Sequence, residues 1–359
     1  MPSKQEIETI RNLPFFFILG RPRSGTTLLR TILDAHPNIV IPPENSNMIH
    51  LHFKYRHAGV RWEAGNIDQL ISDFTEGRAV KAFWRADFDN ARKMILGCSE
   101  DKIAFADIVK IIHYNYKSFH PKGEIMIIGD KSPVNSLYAN ELRLIFPNAR
   151  FIHLFRDYRG NLSSMSDHDI FPPGNSTIVL LWKKSVNQIE SLARKYPARY
   201  FTIRYEDFVT EPEKHTREIC AFLNVPFLSS ILDINQRKNG IEQAYNTKFI
   251  EEWQPDLMKE ISTGNIHKWK NKLSQNTILL ADYLVGDTGE KLGYEKMNHD
   301  FGALFRLKSS IQIAIFEFGE IQRHIFDRLP FSWKIKIMNR KFILSKEIIL
   351  LIKRLAGNG

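Results

Sequence analysis

The chain has 359 residues, 43% hydrophobic and 25% charged, with Cys98 and Cys220 as its thiols. That composition excludes a disordered or collagen-like chain, a disulfide framework and a thiolate-built zinc or iron–sulfur site. Fifty Lys+Arg against forty Asp+Glu give a formal +10, and from Phe301 onward eleven basic residues stand against four acidic ones.

The excess therefore belongs mainly to the C-terminal stretch, and the body is close to neutral. A near-neutral body does not resemble a nucleic-acid binder coated in charge; an anionic ligand or a membrane surface fits the excess better. Met1 to Arg11 is polar, and no run reaches the roughly 18 apolar residues of a spanning helix. With two thiols, this predicts a soluble, cytoplasmic protein, peripheral at most at the inner face of the membrane.

Short apolar runs alternate with helical patterns, the signature of a buried parallel sheet wrapped by helices. The predicted strands are Phe15 to Leu19, Ile39 to Ile41, Ile125 to Ile128, Phe151 to Phe155 and Tyr200 to Ile203. Helical stretches include Leu28 to Leu33, Ser136 to Phe146 and Val179 to Arg194. Beyond Phe301, Ile311, Ile315, Phe318, Ile325 and Leu329 recur at helical spacing up to Pro330. A second apolar set, Trp333 to Leu355, is interleaved with Lys334, Lys336, Arg340, Lys341, Lys346, Lys353 and Arg354. The expected architecture is α/β: a P-loop-like three-layer fold with a central parallel sheet flanked by helices, plus a C-terminal helical extension. Residues 1–300 form the predicted catalytic domain, and 301–359 a basic amphipathic extension that packs on the body or a second subunit, or lies on an anionic membrane.

The chemistry sits where strands end. Gly20-Arg21-Pro22-Arg23-Ser24-Gly25-Thr26-Thr27 joins the first strand to a helix. Its two glycines let backbone N–H groups turn inward, the helix start adds partial positive charge, and Thr26 and Thr27 offer hydroxyls. A nucleoside-triphosphate loop carries Lys after the second glycine; here that residue is Thr26, and the cation sits earlier, at Arg23. A second phosphate signature, Arg156-Asp157-Tyr158-Arg159-Gly160-Asn161-Leu162-Ser163-Ser164, follows the fourth strand, pairing a guanidinium with a helix-start hydroxyl.

Together these segments resemble sulfotransferases that use 3′-phosphoadenosine 5′-phosphosulfate (PAPS) and release 3′-phosphoadenosine 5′-phosphate. Arg23, where cytosolic members carry Lys, and the following Leu33-Asp34-Ala35-His36-Pro37 resemble the Golgi tyrosine and carbohydrate enzymes and bacterial relatives. The resemblance covers roughly residues 14 to 270. It implies donor contacts from Arg21, Arg23, Ser24, Gly25, Thr26 and Thr27, and a 3′-phosphate clamp of Arg156 and Ser164, with Ser163 and Ser166 as weaker choices. It also implies Tyr205 near the adenine, and Ser262 and Lys268 on the 3′-phosphate. Glu206 and Asp207, beside Tyr205, have helix capping as their expected role.

Transfer to a hydroxyl needs a base. Glu44, seven residues after Pro37, matches the spacing of the tyrosine-type catalytic Glu; its alternative role is to cap a helix starting near Ser46. His36 is a second candidate base. Lys131, in Gly129-Asp130-Lys131-Ser132-Pro133, matches the family lysine that reaches the transferring group, and Arg23 and Lys131 would stabilise the departing oxygen without a metal. Ser46 stands where tyrosine-type enzymes carry an Arg that holds acidic peptide, which shifts the expected acceptor toward a carbohydrate, glycolipid or other membrane-proximal hydroxyl. Two rival readings remain at this stage: a P-loop small-molecule kinase using ATP, and a non-catalytic nucleotide- or membrane-binding relative. A homo-oligomer is compatible with the sequence.

Overall fold

The computed structural model describes residues 2–45, 48–55, 62–76, 78–98, 103–166, 174–245 and 247–329. Five strands, β1 (Phe15–Leu19), β2 (Ile39–Val40), β3 (Ile127–Lys131), β4 (Arg150–Phe155) and β5 (Tyr200–Arg204), form one sheet in the order β2-β3-β1-β4-β5. Every pairing is parallel; Ile18 lies opposite Lys131 and Ile152. β1 is buried along its whole length because both faces of the sheet are covered.

The alternation within β1 decides which core each side chain enters. Phe15, Phe17 and Leu19 join the cluster with Ile128 and Phe151, covered by the helices Lys4–Asn12, Phe88–Gly97 and Phe105–Tyr114. Phe16 and Ile18 join Ile127, Ile152 and Leu154 on the opposite face, covered by the helices Thr26–Asp34 and Pro212–Leu223. Phe17 stacks on Phe151 at 5.5 Å, and Phe151 on Tyr200 at 4.8 Å, so one aromatic ladder crosses β1, β4 and β5. Phe17→Ala would cost about 3–5 kcal/mol by the cavity it leaves.

Most predicted elements differ from the observed ones in their bounds, and two of the differences have a visible cause. β3 starts two residues later than expected and runs through Lys131. Met126 stands 40% exposed, and its N–H goes to the Asn38 carbonyl before the ladder begins. The helix expected over Ser136 to Phe146 divides at Tyr138 (φ −127°, ψ 27°) into a 3-10 turn, Pro133–Leu137, and an α-helix, Ala139–Ile145. Beyond the sheet, the helix Ala303–Arg328 packs on Asn175–Lys195 and Gln275–Val285. It stops at Leu329 (ψ 151°) because the residue before Pro330 is driven out of the helical region. The second apolar set of the tail lies outside the described residues, as does Ser46.

Since β1 is central, and its crossover runs to one side while that of β3 runs to the other, the loops after β1, β3 and β4 meet at one edge. That edge is where open parallel sheets hold ligands.

Candidate active site

The loop after β1 is shaped by its glycines. A Cβ on Gly20 would stand 2.3 Å from the Leu154 carbonyl oxygen, and Gly25, at φ +89°, would place one 2.5 Å from Cδ2 of Tyr205. Between them Arg23 adopts φ +68°, unusual for a non-glycine residue. Neighbouring segments hold that conformation. Arg156 Nη1 donates to the Arg23 carbonyl at 3.2 Å, and Arg23 Nε donates to Ser164 Oγ at 3.0 Å. Asn161 Nδ2 donates to the Pro22 carbonyl at 2.6 Å and to Ser24 Oγ at 3.3 Å. The two phosphate signatures, about 130 residues apart, are therefore bonded to one another.

They line a cleft of about 430 Å³, within the range of small-molecule sites. Its wall contains Arg23, Gly25, Thr26, Thr27, Arg156, Ser163, Ser164, Tyr205 and Lys268. Arg156 stacks over the Tyr205 ring at 4.7 Å, and its Nη2 donates to the Asn265 carbonyl at 2.6 Å. Burial pushes the Tyr205 phenol up. Arg156 Nε and Trp269 Nε1 are buried without a hydrogen-bond partner among the described residues. Two orphaned donors in a wall that also presents Arg23, Lys268 and Lys272 suit the anionic oxygens of a bisphosphorylated nucleotide.

Three predicted donor contacts lie elsewhere. Arg21 does not line the cleft. Its guanidinium is buried within the influence of Glu320 and Arg323, and desolvation, partly offset by Glu320, pulls it down to about 10. Ser24 is fully buried inside the loop. Ser262 lies outside the main cleft, on a small adjoining depression that shares Tyr205, Asp256 and Asn265 with it.

Glu44 and Lys131 meet at the ends of β2 and β3. Lys131, 2% exposed, donates from Nζ to Glu44 Oε2 at 2.9 Å and to Thr27 Oγ1 at 3.2 Å. The Glu44 side chain remains 38% exposed. Its backbone is pinned on both sides, by Asn45 N–H donating to Ser132 Oγ (2.9 Å) and Trp84 Nε1 donating to the Pro43 carbonyl (2.8 Å). Beside Lys131, Asp130 is buried between His113 Nε2 (3.1 Å) and Asn135 Nδ2 (2.6 Å). His36 is separate from this group. Its Nε2 meets the Pro226 carbonyl at 2.7 Å and its Nδ1 accepts from Asn38 N–H at 3.1 Å, so both ring nitrogens are committed to the fold.

Glu206 and Asp207 do not cap as expected. Glu206 Oε1 accepts from Asp157 N–H at 3.0 Å and its Oε2 accepts from Tyr294 OH at 2.8 Å, with burial raising its pKa. Asp207 takes both ends of the Arg204 guanidinium at 2.7 Å. The sequence reading missed Asn161, although it lies inside the quoted second signature. It also missed the 252–257 wall, whose Glu252, Gln254 and Asp256 belong to no motif.

Comparison with known proteins identifies the family and the fold. A sequence profile for the sulfotransferase family matches residues 14–229. A putative protein-tyrosine sulfotransferase of Caenorhabditis briggsae is 24% identical over 255 residues, covering 66% of this chain and 79% of that protein. Protein-tyrosine sulfotransferase 1 of Rattus norvegicus is 25% identical over 292 residues, covering 79% and 70%. The sulfotransferase domain of the Synechococcus PCC 7002 olefin synthase has the same fold, with a TM-score of 0.50 at 24% identity over 76% of this chain and 95% of that one.

These relatives correct one expectation. The curated relatives are named protein-tyrosine sulfotransferases, the type that the motif resemblance grouped with Golgi enzymes, and this contradicts the cytoplasmic, inner-face placement. The thiol count misled because Cys98 and Cys220 are both buried packing residues, outside any disulfide, and such residues carry no record of the redox compartment. The chain belongs to the sulfotransferase family and is a PAPS-dependent enzyme.

Proposed function

We propose that the protein moves the sulfuryl group of PAPS to an acceptor hydroxyl by in-line transfer, with Glu44 as the base. The observation that carries this reading is Lys131. One buried ammonium joins Thr27, at the start of the phosphate-loop helix, to Glu44, the carboxylate at the sheet edge. Base, cation and donor loop thus stand within a single side chain's reach.

In this scheme the loop N–H groups, Arg23 and Thr26 hold the phosphosulfate, and Arg156, Ser164 and Lys268 hold the 3′-phosphate, with Tyr205 beside the base ring. Arg21 and Ser24 support the loop from behind, and Ser262 borders the nucleotide from the adjoining depression. The acceptor O–H gives its proton to the Glu44 carboxylate as its oxygen bonds to sulfur. The bond from sulfur to the bridging phosphate oxygen breaks, and the charge left on that oxygen is met by Lys131 and Arg23. Glu44 then returns the proton to water. These side chains supply the charge stabilisation without a metal. The catalytic unit ends near residue 300. The relatives are named for protein tyrosine; Ser46 in this chain favours instead a hydroxyl on a carbohydrate, glycolipid or other membrane-proximal molecule.

The kinase alternative lacks the lysine after the second glycine, where Thr26 stands 3% exposed. Thermal stabilisation separates the two: 3′,5′-bisphosphate should raise the midpoint and ATP–magnesium should not. Labelled PAPS offered with glycolipid, oligosaccharide and acidic tyrosine-peptide acceptors tests the rest. Stabilisation by ATP–magnesium alone, with no label transferred, refutes the proposal.

A further inference from the structure

The helix Ala303–Arg328 presents its polar side to the body. Glu320 pairs with Lys184 and Arg323, Ser176 Oγ donates to Gln312 Oε1 at 2.7 Å, and Tyr138 OH donates to Asp327 Oδ2 at 2.9 Å. Ser309 is buried, and Ile313 and Phe316 pack against the cluster around Trp182. The opposite side is apolar and, among the described residues, uncovered: Leu304, Leu307, Ile311, Ile315, Phe318, Ile321 and Ile325 are each 54–66% exposed. At 100° per residue they fall in an arc of about 120°, running roughly 32 Å along the helix axis. No acidic residue enters that arc, Lys308 borders it, and Gln322 is its one polar residue. Soluble monomers rarely leave so long an apolar stripe in water.

We propose that this face docks on an anionic bilayer surface, lying in the interface with the polar side toward the body. The charge that follows selects this occupant. Residues 330–359, outside the described part, carry seven Lys/Arg and one acidic residue, and they begin where the stripe ends. Anionic headgroups complement that charge, whereas a second copy of this chain would add an equal positive charge. Among the described residues no helix is long and apolar enough to cross a membrane, so the contact is one of lying on the surface. Tyr138, held by Asp327, also touches His50 and Phe53 on the helix Met48–Tyr55 that follows Glu44. The helix that carries the stripe is thus bonded to the segment that follows Glu44 and, resting on the proposed function, docking favours acceptor hydroxyls borne at the bilayer.

Co-sedimentation of the full chain with vesicles of phosphatidylcholine alone, and of phosphatidylcholine with 30% phosphatidylserine, tests the proposal. The expected result is at least tenfold stronger partition to the anionic vesicles, weakening with salt. Ile311→Glu/Ile315→Glu/Phe318→Glu should lower it at least tenfold, and the milder Ile315→Ser a few-fold. Stabilisation by 3′,5′-bisphosphate should stay unchanged in both variants, showing an intact fold. Equal binding of the triple variant and the parent, or no anionic preference in the parent, overturns the proposal. So does a parent dimer that the triple variant dissociates without any vesicle binding, since a second copy would then be the occupant. Transfer to a soluble acceptor is read separately, so loss of that activity counts against the enzymatic reading and leaves vesicle binding to be judged by itself.

Discussion

Glu44→Gln separates the role of the carboxylate charge from its role as an anchor. The glutamine oxygen can still accept from Lys131 Nζ, now at 2.9 Å from Glu44, so Lys131 should keep its place beside Thr27. What disappears is the ability to take a proton. General-base catalysis is worth about 10²–10⁴ in rate, or about 2.7–5.4 kcal/mol at 1.36 kcal/mol per tenfold. The stability cost is smaller. Coulomb's law at 2.9 Å with an effective dielectric of about 20 gives roughly 6 kcal/mol gross. The carboxylate is 38% exposed, so screening and desolvation reduce this to about 1 kcal/mol net, a thermal shift of about 2 °C. The assay is turnover of labelled PAPS with saturating acceptor, alongside 3′,5′-bisphosphate affinity and the thermal midpoint. We expect kcat to fall at least 100-fold while bisphosphate affinity changes less than threefold. A variant that turns over within threefold of the parent would falsify the assignment of the base. A parallel collapse of bisphosphate affinity would show instead that Glu44 acts by holding the loop.

Three further outcomes follow from the same geometry. Arg156→Lys keeps the charge but cannot span the Arg23 and Asn265 carbonyls or stack on Tyr205, so bisphosphate affinity should drop about 10- to 100-fold by calorimetry; a change below threefold would make the arginine replaceable by any cation. Gly25→Ala forces a side chain into φ +89° and against Tyr205, at a cost of about 1–2 kcal/mol for the backbone alone, and should weaken nucleotide binding more than tenfold; parent-like binding would mean the loop has another conformation. His36 is held neutral by burial, which lowers its pKa from the usual 6.5. The unfolded chain therefore binds the extra proton first, and the stability His36 contributes is full above pH 6.5 and is lost as pH falls below that toward the folded value. His36→Gln should flatten the acid limb of a urea-denaturation series, and an unchanged limb would assign it to other groups.

The sequence by itself determined the sheet and the chemical vocabulary of its edge. The continuous apolar run Phe15 to Leu19, the apolar runs followed shortly by Lys131, Arg156 and Arg204, and the glycine-bounded loop are local patterns. Local sterics and the periodicity of burial translate them directly into strands, a tight turn and a helix start. Glu44 stood out through resemblance, by its place seven residues after Pro37, and Pro42 and Pro43 precede it directly.

Only the tertiary structure decided where those side chains aim. Arg21 and Arg23 are two residues apart, yet one is buried away from the cleft, within the influence of Glu320 and Arg323, and the other bonds Ser164. Asn161 ties the first signature to the second, and Lys131 ties the donor loop to Glu44, across separations of 139 and 87 residues. The basic tail, read from composition as an appendage, proved in its first half to be a helix with Glu320, Arg323 and Asp327 held in ion pairs and its apolar stripe turned out. Side-chain direction is set by what packs across the gap, and the partner across each gap came from a distant part of the chain.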